Sequence, residues 1–207
     1  GENVIGNVEW EARVKQLTDL TEYFQTLVQD VAKVSKERAS VINKKSKEQA
    51  QGVVKDVESK YSSADKKGKA SITRALNNLV TALGLKVEPS KNSATTRKRN
   101  LKAIREYLAS EDSVVDLELF QALGMATKYE IEPVEYVLSP EAASRQDVIN
   151  NNLNKTIAHW FNVILSGDLD FFNTDPQAMK LFQVFMTLKQ QLESEYGYTI
   201  QPLSNET

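Results

Sequence analysis

Near the N-terminus, Leu17, Leu20, Phe24, Leu27, Val31, Val34 and Val41 follow one another in steps of three and four, with only Arg38 interrupting. Such steps line side chains along one stripe of an α-helix, whereas a strand alternates faces at every residue. The flanking positions are mostly Thr, Gln, Asp, Lys and Ser, so the helix offers a narrow apolar stripe. A 3-4-3-4 rhythm with polar flanks is the pattern of a coiled-coil seam or of a long antiparallel hairpin. The helix is expected to begin near Asn7 and Val8. The rhythm lapses from Asn43 to Gln49 and resumes in a new phase at Ala50, Val53, Val54, Val57 and Tyr61. No Gly or Pro marks the lapse, and Gly52 comes after it. One helix of about 50 residues, about 75 Å long, is therefore expected in preference to a turn near Lys44–Lys47.

The same spacing recurs downstream. Ser62 to Gly68 reads as a break, and a helix with Ile72, Leu76, Leu79, Val80 and Leu83 on one face then runs to Gly84. Leu101, Ile104 and Leu108 mark a third helix. Ser113 and Asp116 resemble a capping box, opening a short helix with Val114, Val115, Leu117, Leu119, Phe120 and Leu123. Lys128–Leu138, with Pro133, reads as an extended connection or a short strand at best. Ser139-Pro140 and Asp175-Pro176 are N-cap signals. The first opens a helix carrying Ile149, Leu153, Ile157, Trp160, Phe161, Ile164 and Leu165 that ends at Gly167. The second opens one carrying Met179, Phe182, Phe185, Met186, Leu192 and Tyr196 that ends at Gly197. The expected fold is all-α: a long N-terminal helix or helical hairpin, then a C-terminal helical bundle. The polar stretch Pro89–Thr96 is the expected linker, dividing an elongated region 1–88 from a compact bundle 97–207. The tail Gln201–Thr207 is expected to be loose.

Composition narrows the chemistry. The 207 residues include no Cys and one His, which excludes disulfides, thiolate metal sites, cysteine nucleophiles and multi-histidine metal sites. The eight Gly are scattered and form no phosphate-binding loop. His159 precedes Trp160 in an expected helix and reads as a structural or surface histidine. Asp168, Asp170 and Asp175 lack the spacing of a calcium loop, and Glu130, Glu132 and Glu135 read as a solvated loop. No apolar run approaches the ~20 residues of a membrane span, and no secretory signal is visible. No cofactor, no metal and no membrane partner are expected; a soluble, cytoplasmic or virion-associated protein is. The initial Gly1 fits either a cleaved terminus or an expression scar.

Charge is the one uneven property. Residues 35–105 hold 18 of the 26 Lys+Arg and 6 of the 28 Asp+Glu, a net +12, while residues 106–207 are at −11. The cations form three clusters: Lys44, Lys45 and Lys47; Lys66, Lys67 and Lys69; and Arg97, Lys98 and Arg99 with Lys102 and Arg105. The first two fall in the rhythm lapse and in a helix break, so both are expected to face solvent. In the third, Lys98, Lys102 and Arg105 share a helix face, with Leu101, Ile104 and Leu108 expected on the opposite one. Thr95, Thr96 and Asn100 add neutral donors, and helix N-terminal amides would add more, so the face suits a row of phosphates. Aromatics for base stacking are nearly absent there, Tyr61 being the only one between Phe24 and Tyr107.

The expectation is a non-enzymatic structural or assembly protein working through helical interfaces, such as a matured virion or complex component. Its seam (Leu17, Leu20, Phe24, Leu27, Val31, Val34) would pair with a partner helix or a second copy. Its polyanion or acidic-partner surface would be Arg97, Lys98, Arg99, Lys102 and Arg105. The alternative is a nonspecific nucleic-acid-binding protein using the basic 35–105 segment.

Overall fold

A computed structural model describes residues 7–165 and 174–200. Gly167, Asp168, Asp170 and the tail 201–207 lie outside the described residues. Helices make up the described fold, with no strand among the described residues: α1 (Asn7–Lys60), α2 (Lys66–Ala82), α3 (Ser93–Ala109), α4 (Gln121–Thr127), α5 (Pro140–Leu165) and α6 (Pro176–Ser194). Short 3₁₀ turns at Tyr61–Ser63 and Leu117–Phe120 precede α2 and α4. The first helix runs unbroken for 54 residues through the rhythm lapse. Among the described residues no helix is long and apolar enough to cross a membrane.

The helix ends follow local chemistry. Asp65 caps α2 by accepting from the Gly68 amide at 2.7 Å. At its far end Gly84, at φ +67°, lets the Gly84 and Leu85 amides bond back to Thr81 and Val80, both at 3.0 Å. Ser139 caps α5, accepting from the Ala142 amide at 3.1 Å and donating its hydroxyl to Glu37 at 2.9 Å. Asp175 caps α6 through the Gln177 and Ala178 amides at 2.9 and 3.0 Å and also accepts from the Trp10 indole. That indole bond, followed by the two amides, holds the Asp175 carboxyl below the ordinary carboxylate range, against an opposing push from burial. The Ser113 capping box does not form. Asp116 alone caps the following 3₁₀ turn, through Glu118 N at 3.1 Å, while Ser113 is buried with its hydroxyl donated to Ser110 O. The stretch from Tyr129 to Ser139 is extended connection without a strand.

The helices form two compact units, and the division corrects the expected domains. Unit 1 comprises residues 1–38 and 137–207, and unit 2 comprises 39–136. Pro89–Thr96 is therefore not a domain linker; it lies inside unit 2, and α3 already begins at Ser93. The physical reason is that α1 carries two apolar stripes, and each recruits its own cover from downstream. In unit 1, Leu17, Phe24, Leu27, Val31 and Val34 are buried with Ile149, Leu153, Ile157 and Trp160 of α5 and with Ala178, Phe185 and Leu192 of α6. Leu20 is partly buried against the same cluster. Trp160 stacks on Phe185 at 4.1 Å between ring centroids, and Phe24 meets Phe185 at 5.0 Å. Removing a ring of this kind costs about 3–5 kcal/mol. In unit 2, Ala50, Val53, Val54 and Val57 are buried with Ile72, Leu76 and Leu79 of α2, Leu101, Ile104 and Leu108 of α3, and Phe120 and Leu123 around α4.

Candidate functional site

The expected seam is already occupied. Five of its six residues are buried and the sixth partly so, covered by the chain's own α5 and α6. No partner helix is needed to shield them, so that stripe is a core and not a free interface.

The basic clusters meet different fates. Lys45 and Lys47 do not simply face solvent. Their ammonium groups donate to the backbone oxygens of Glu135 and Ser110, both at 2.8 Å. Beside them Asn43 donates to Ser113 O at 2.9 Å and accepts from Val115 N at 2.8 Å. The polar lapse in the α1 rhythm is thus a docking strip for irregular chain in unit 2. Its residues satisfy carbonyls and an amide that no helix or sheet ladder pairs. In the second cluster Lys66 and Lys67 are exposed, and Lys69 lies 5.7 Å from the Tyr61 ring centre.

In the third cluster the side chains fan out around α3. At about 100° per residue, Arg97 and Arg99 point nearly opposite ways. Arg97 lies 3.7 Å over the Tyr61 ring, a cation–π contact. Arg99 turns away and donates to the carbonyls of Glu88 and Pro89 at 3.2 and 3.3 Å. Arg99 is therefore a structural brace and not part of the anion-facing set. Two of the three neutral donors are also committed. Asn100 is buried and donates to Asn77 Oδ1 at 2.9 Å, and the Thr96 hydroxyl donates to Ser90 O and Asn92 O. Asn92 caps the helix through the Ala94 and Thr95 amides, so those amides are not open to a phosphate.

What remains is a groove. Glu58 pairs with Arg105, and Tyr61 with Arg97, so α1 and α3 run antiparallel alongside it. Toward the Gln51 end a hollow of about 370 Å³ is lined by Gln51, Val54, Lys55, Glu58, Arg105 and Leu108. Toward the Ser62 end a hollow of about 470 Å³ is lined by residues including Val57, Tyr61, Lys98, Leu101 and Lys102, and it shares Glu58 and Arg105 with the first. Lys98, Lys102 and Arg105 form the α3 rim and Lys55 stands on the α1 side. The apolar face of α3 is not opposite the cations. At about 100° per residue the two faces are centred about 90° apart, so Leu101 and Leu108, buried in the unit 2 core, lie beside the cations and not behind them. Among the described residues Lys55, Lys98 and Lys102 are exposed and make no ion pair. Arg105 and Glu58 are 53% and 37% exposed, so their pair is worth about 0–1 kcal/mol and an incoming anion can exchange with it.

The remaining candidates stay peripheral. His159 is exposed on α5, and Glu130, Glu132 and Glu135 are exposed. No known family model, curated protein or solved structure matches this chain. The functional reading therefore rests on the residues and their geometry.

Proposed function

We propose that the protein is a non-enzymatic structural or assembly component that docks onto an acidic surface through the α1–α3 groove of unit 2. One observation carries this reading: among the described residues, Lys98 and Lys102 on one rim and Lys55 near the other are exposed and make no ion pair, around two hollows on the surface of unit 2. Unpaired cations at a concave site keep their full attraction for an anion, whereas those bonded to backbone carbonyls must first give up a partner. The non-enzymatic part of the reading is supported by the absence of Cys, of a phosphate loop and of a second His, and by the exposed position of His159.

The nucleic-acid reading draws on the same cations but loses support in detail. Arg99, Lys45 and Lys47 are committed to backbone oxygens, Arg97 covers Tyr61, and the α3 N-terminal amides are capped. Lys44, Lys66, Lys67 and Arg74 are exposed elsewhere in unit 2, so the nucleic-acid reading keeps those cations while it loses Arg99 and the capped amides. The test is binding of labelled poly-glutamate to the full chain at low and high salt, with a Lys98→Glu, Lys102→Glu, Arg105→Glu triple variant as control. Binding at low salt that weakens with added salt and vanishes in the triple variant is expected. Equal binding by the wild type and a correctly folded triple variant contradicts the proposal.

A further inference from the structure

We infer that the acidic surface this groove meets is the 111–118 loop of a second copy of the chain, the two copies pairing reciprocally, groove on loop and loop on groove. This deepens the reading above and rests on it. The first observation is that unit 2 is itself divided by charge. Its residues 39–105 carry 16 Lys+Arg against 5 Asp+Glu, or +11, and its residues 106–136 carry 1 against 8, or −7. Among the described residues no ion pair joins the two segments, since Lys60–Asp56 and Arg105–Glu58 both lie within the first. Glu111, Asp112, Asp116 and Glu118 are exposed and, like Lys55, Lys98 and Lys102, make no ion pair among the described residues. Lys45 and Lys47, the nearby cations of α1, are engaged by backbone oxygens and neutralise no carboxylate, which leaves Lys44 as the exposed lysine beside them.

The second observation is placement. Asn43, Lys47, Gln51 and Lys55 follow one another in steps of four and form one row along α1. The first two hold the loop, through Ser113, Val115 and Ser110, and the last two line the groove. Loop and groove therefore lie along the same side of α1, with Lys47 about 12 Å from Lys55 along the helix axis. Opposite charges set side by side on one face are self-complementary about a two-fold axis. A second copy turned end for end brings its loop to this groove and its groove to this loop. Two parallel copies would set like charges against each other, so charge also selects the orientation. A foreign acidic partner would engage the groove alone, whereas the reciprocal pair makes the same contact twice and matches the carboxylates as well as the cations.

The experiment is sedimentation velocity of the full chain at low and high salt, with two charge-reversed variants. Lys98→Glu/Lys102→Glu makes the groove acidic, and Glu111→Lys/Asp112→Lys/Glu118→Lys makes the loop basic; Asp116 is left alone because it caps the turn after it. The wild type is expected to form a species of twice the chain mass at low salt and to lose at least tenfold in affinity at high salt. Each variant alone is expected to lose at least tenfold. An equimolar mixture of the two is expected to pair within about threefold of the wild type, because each then offers the charge the other needs; a variant that had merely unfolded could not be rescued in this way. Poly-glutamate, competing for the groove, is expected to dissociate the wild-type pair. A wild type that stays monomeric while binding poly-glutamate overturns the second copy but leaves an acidic-surface groove standing. Neither pairing nor poly-glutamate binding at low salt overturns both. Pairing that the mixture fails to restore, or association that continues beyond two copies, overturns the reciprocal groove–loop contact.

Discussion

Thr21 lies on α1 between Leu17 and Phe24, where the sequence shows only a polar flank of the stripe. In the fold it is buried, donates to Leu17 O at 2.7 Å and accepts from the Trp160 indole at 2.8 Å. Thr21→Val keeps the shape and leaves the buried indole N–H without its acceptor. It is expected to cost about 1–3 kcal/mol, measured by urea unfolding, with Thr21→Ser costing less; equal costs for the two would show that the hydroxyl is not what matters. At Asp175 the consequence depends on pH. Its carboxyl is held below the ordinary range of about 3.9, chiefly by the Trp10 indole. The stabilisation it supplies is therefore full above that ordinary value and is lost as pH falls through the depressed folded one. Asp175→Asn keeps a capping oxygen but not the charge, so its stability is expected to change less with pH below about 4 than that of the wild type. Parallel acid-unfolding curves for the two proteins would refute this. Burial of Leu17, Phe24 and Leu27 was legible because periodicity alone determines it. The roles of Thr21 and Asn43 were not, because their partners lie 139, 70 and 72 residues away.

At the scale of elements, α1 is the organising piece, and its continuity could be read from the lack of Gly or Pro in the lapse. What the lapse is for could not. Asn43, Lys45 and Lys47 bond to irregular chain at Ser113, Val115, Glu135 and Ser110, and no periodic pattern announces where irregular chain will pass. Gly52 is a second case. A methyl group there would run into the Tyr129 side chain, so this helix-interior glycine makes room for the ring. A solvent-facing Gly→Ala in a helix gains about 1 kcal/mol. Gly52→Ala is expected to gain nothing or to destabilise in the wild type, and to recover that gain in a Tyr129→Ala background. A double-mutant cycle by thermal unfolding measures the difference, and a gain in the wild-type background would contradict the close approach. The α3 fan was readable in principle. Stepping at about 100° per residue sends Arg99 away from Arg97 and puts Leu101 beside Arg105, which a division into opposite faces conceals.

For the whole molecule, the charge asymmetry along the sequence changes meaning once the chain is folded. The acidic stretch after residue 105 is split, and its first part joins the basic segment in unit 2. That unit then carries 17 Lys+Arg against 13 Asp+Glu, or +4, and unit 1 carries 9 against 15, or −6. A gradient of +12 against −11 along the chain becomes a mild difference between units, and the functional signal contracts from the basic middle to one groove. The all-α class was legible, since steps of three and four run through nearly every segment. The pairing of units was not, because two separate stripes on one helix leave open which later helices cover which. The measurement that tests the central claim most directly is the salt-dependent affinity of the full chain for poly-glutamate, read by fluorescence anisotropy alongside the Lys98→Glu/Lys102→Glu/Arg105→Glu variant. The predicted result is binding at low salt that weakens as salt rises and at least a tenfold loss in a variant whose circular dichroism and unfolding midpoint match the wild type. Undiminished binding in that folded variant, or no binding by the wild type at low salt, would contradict the claim that this groove is the docking surface.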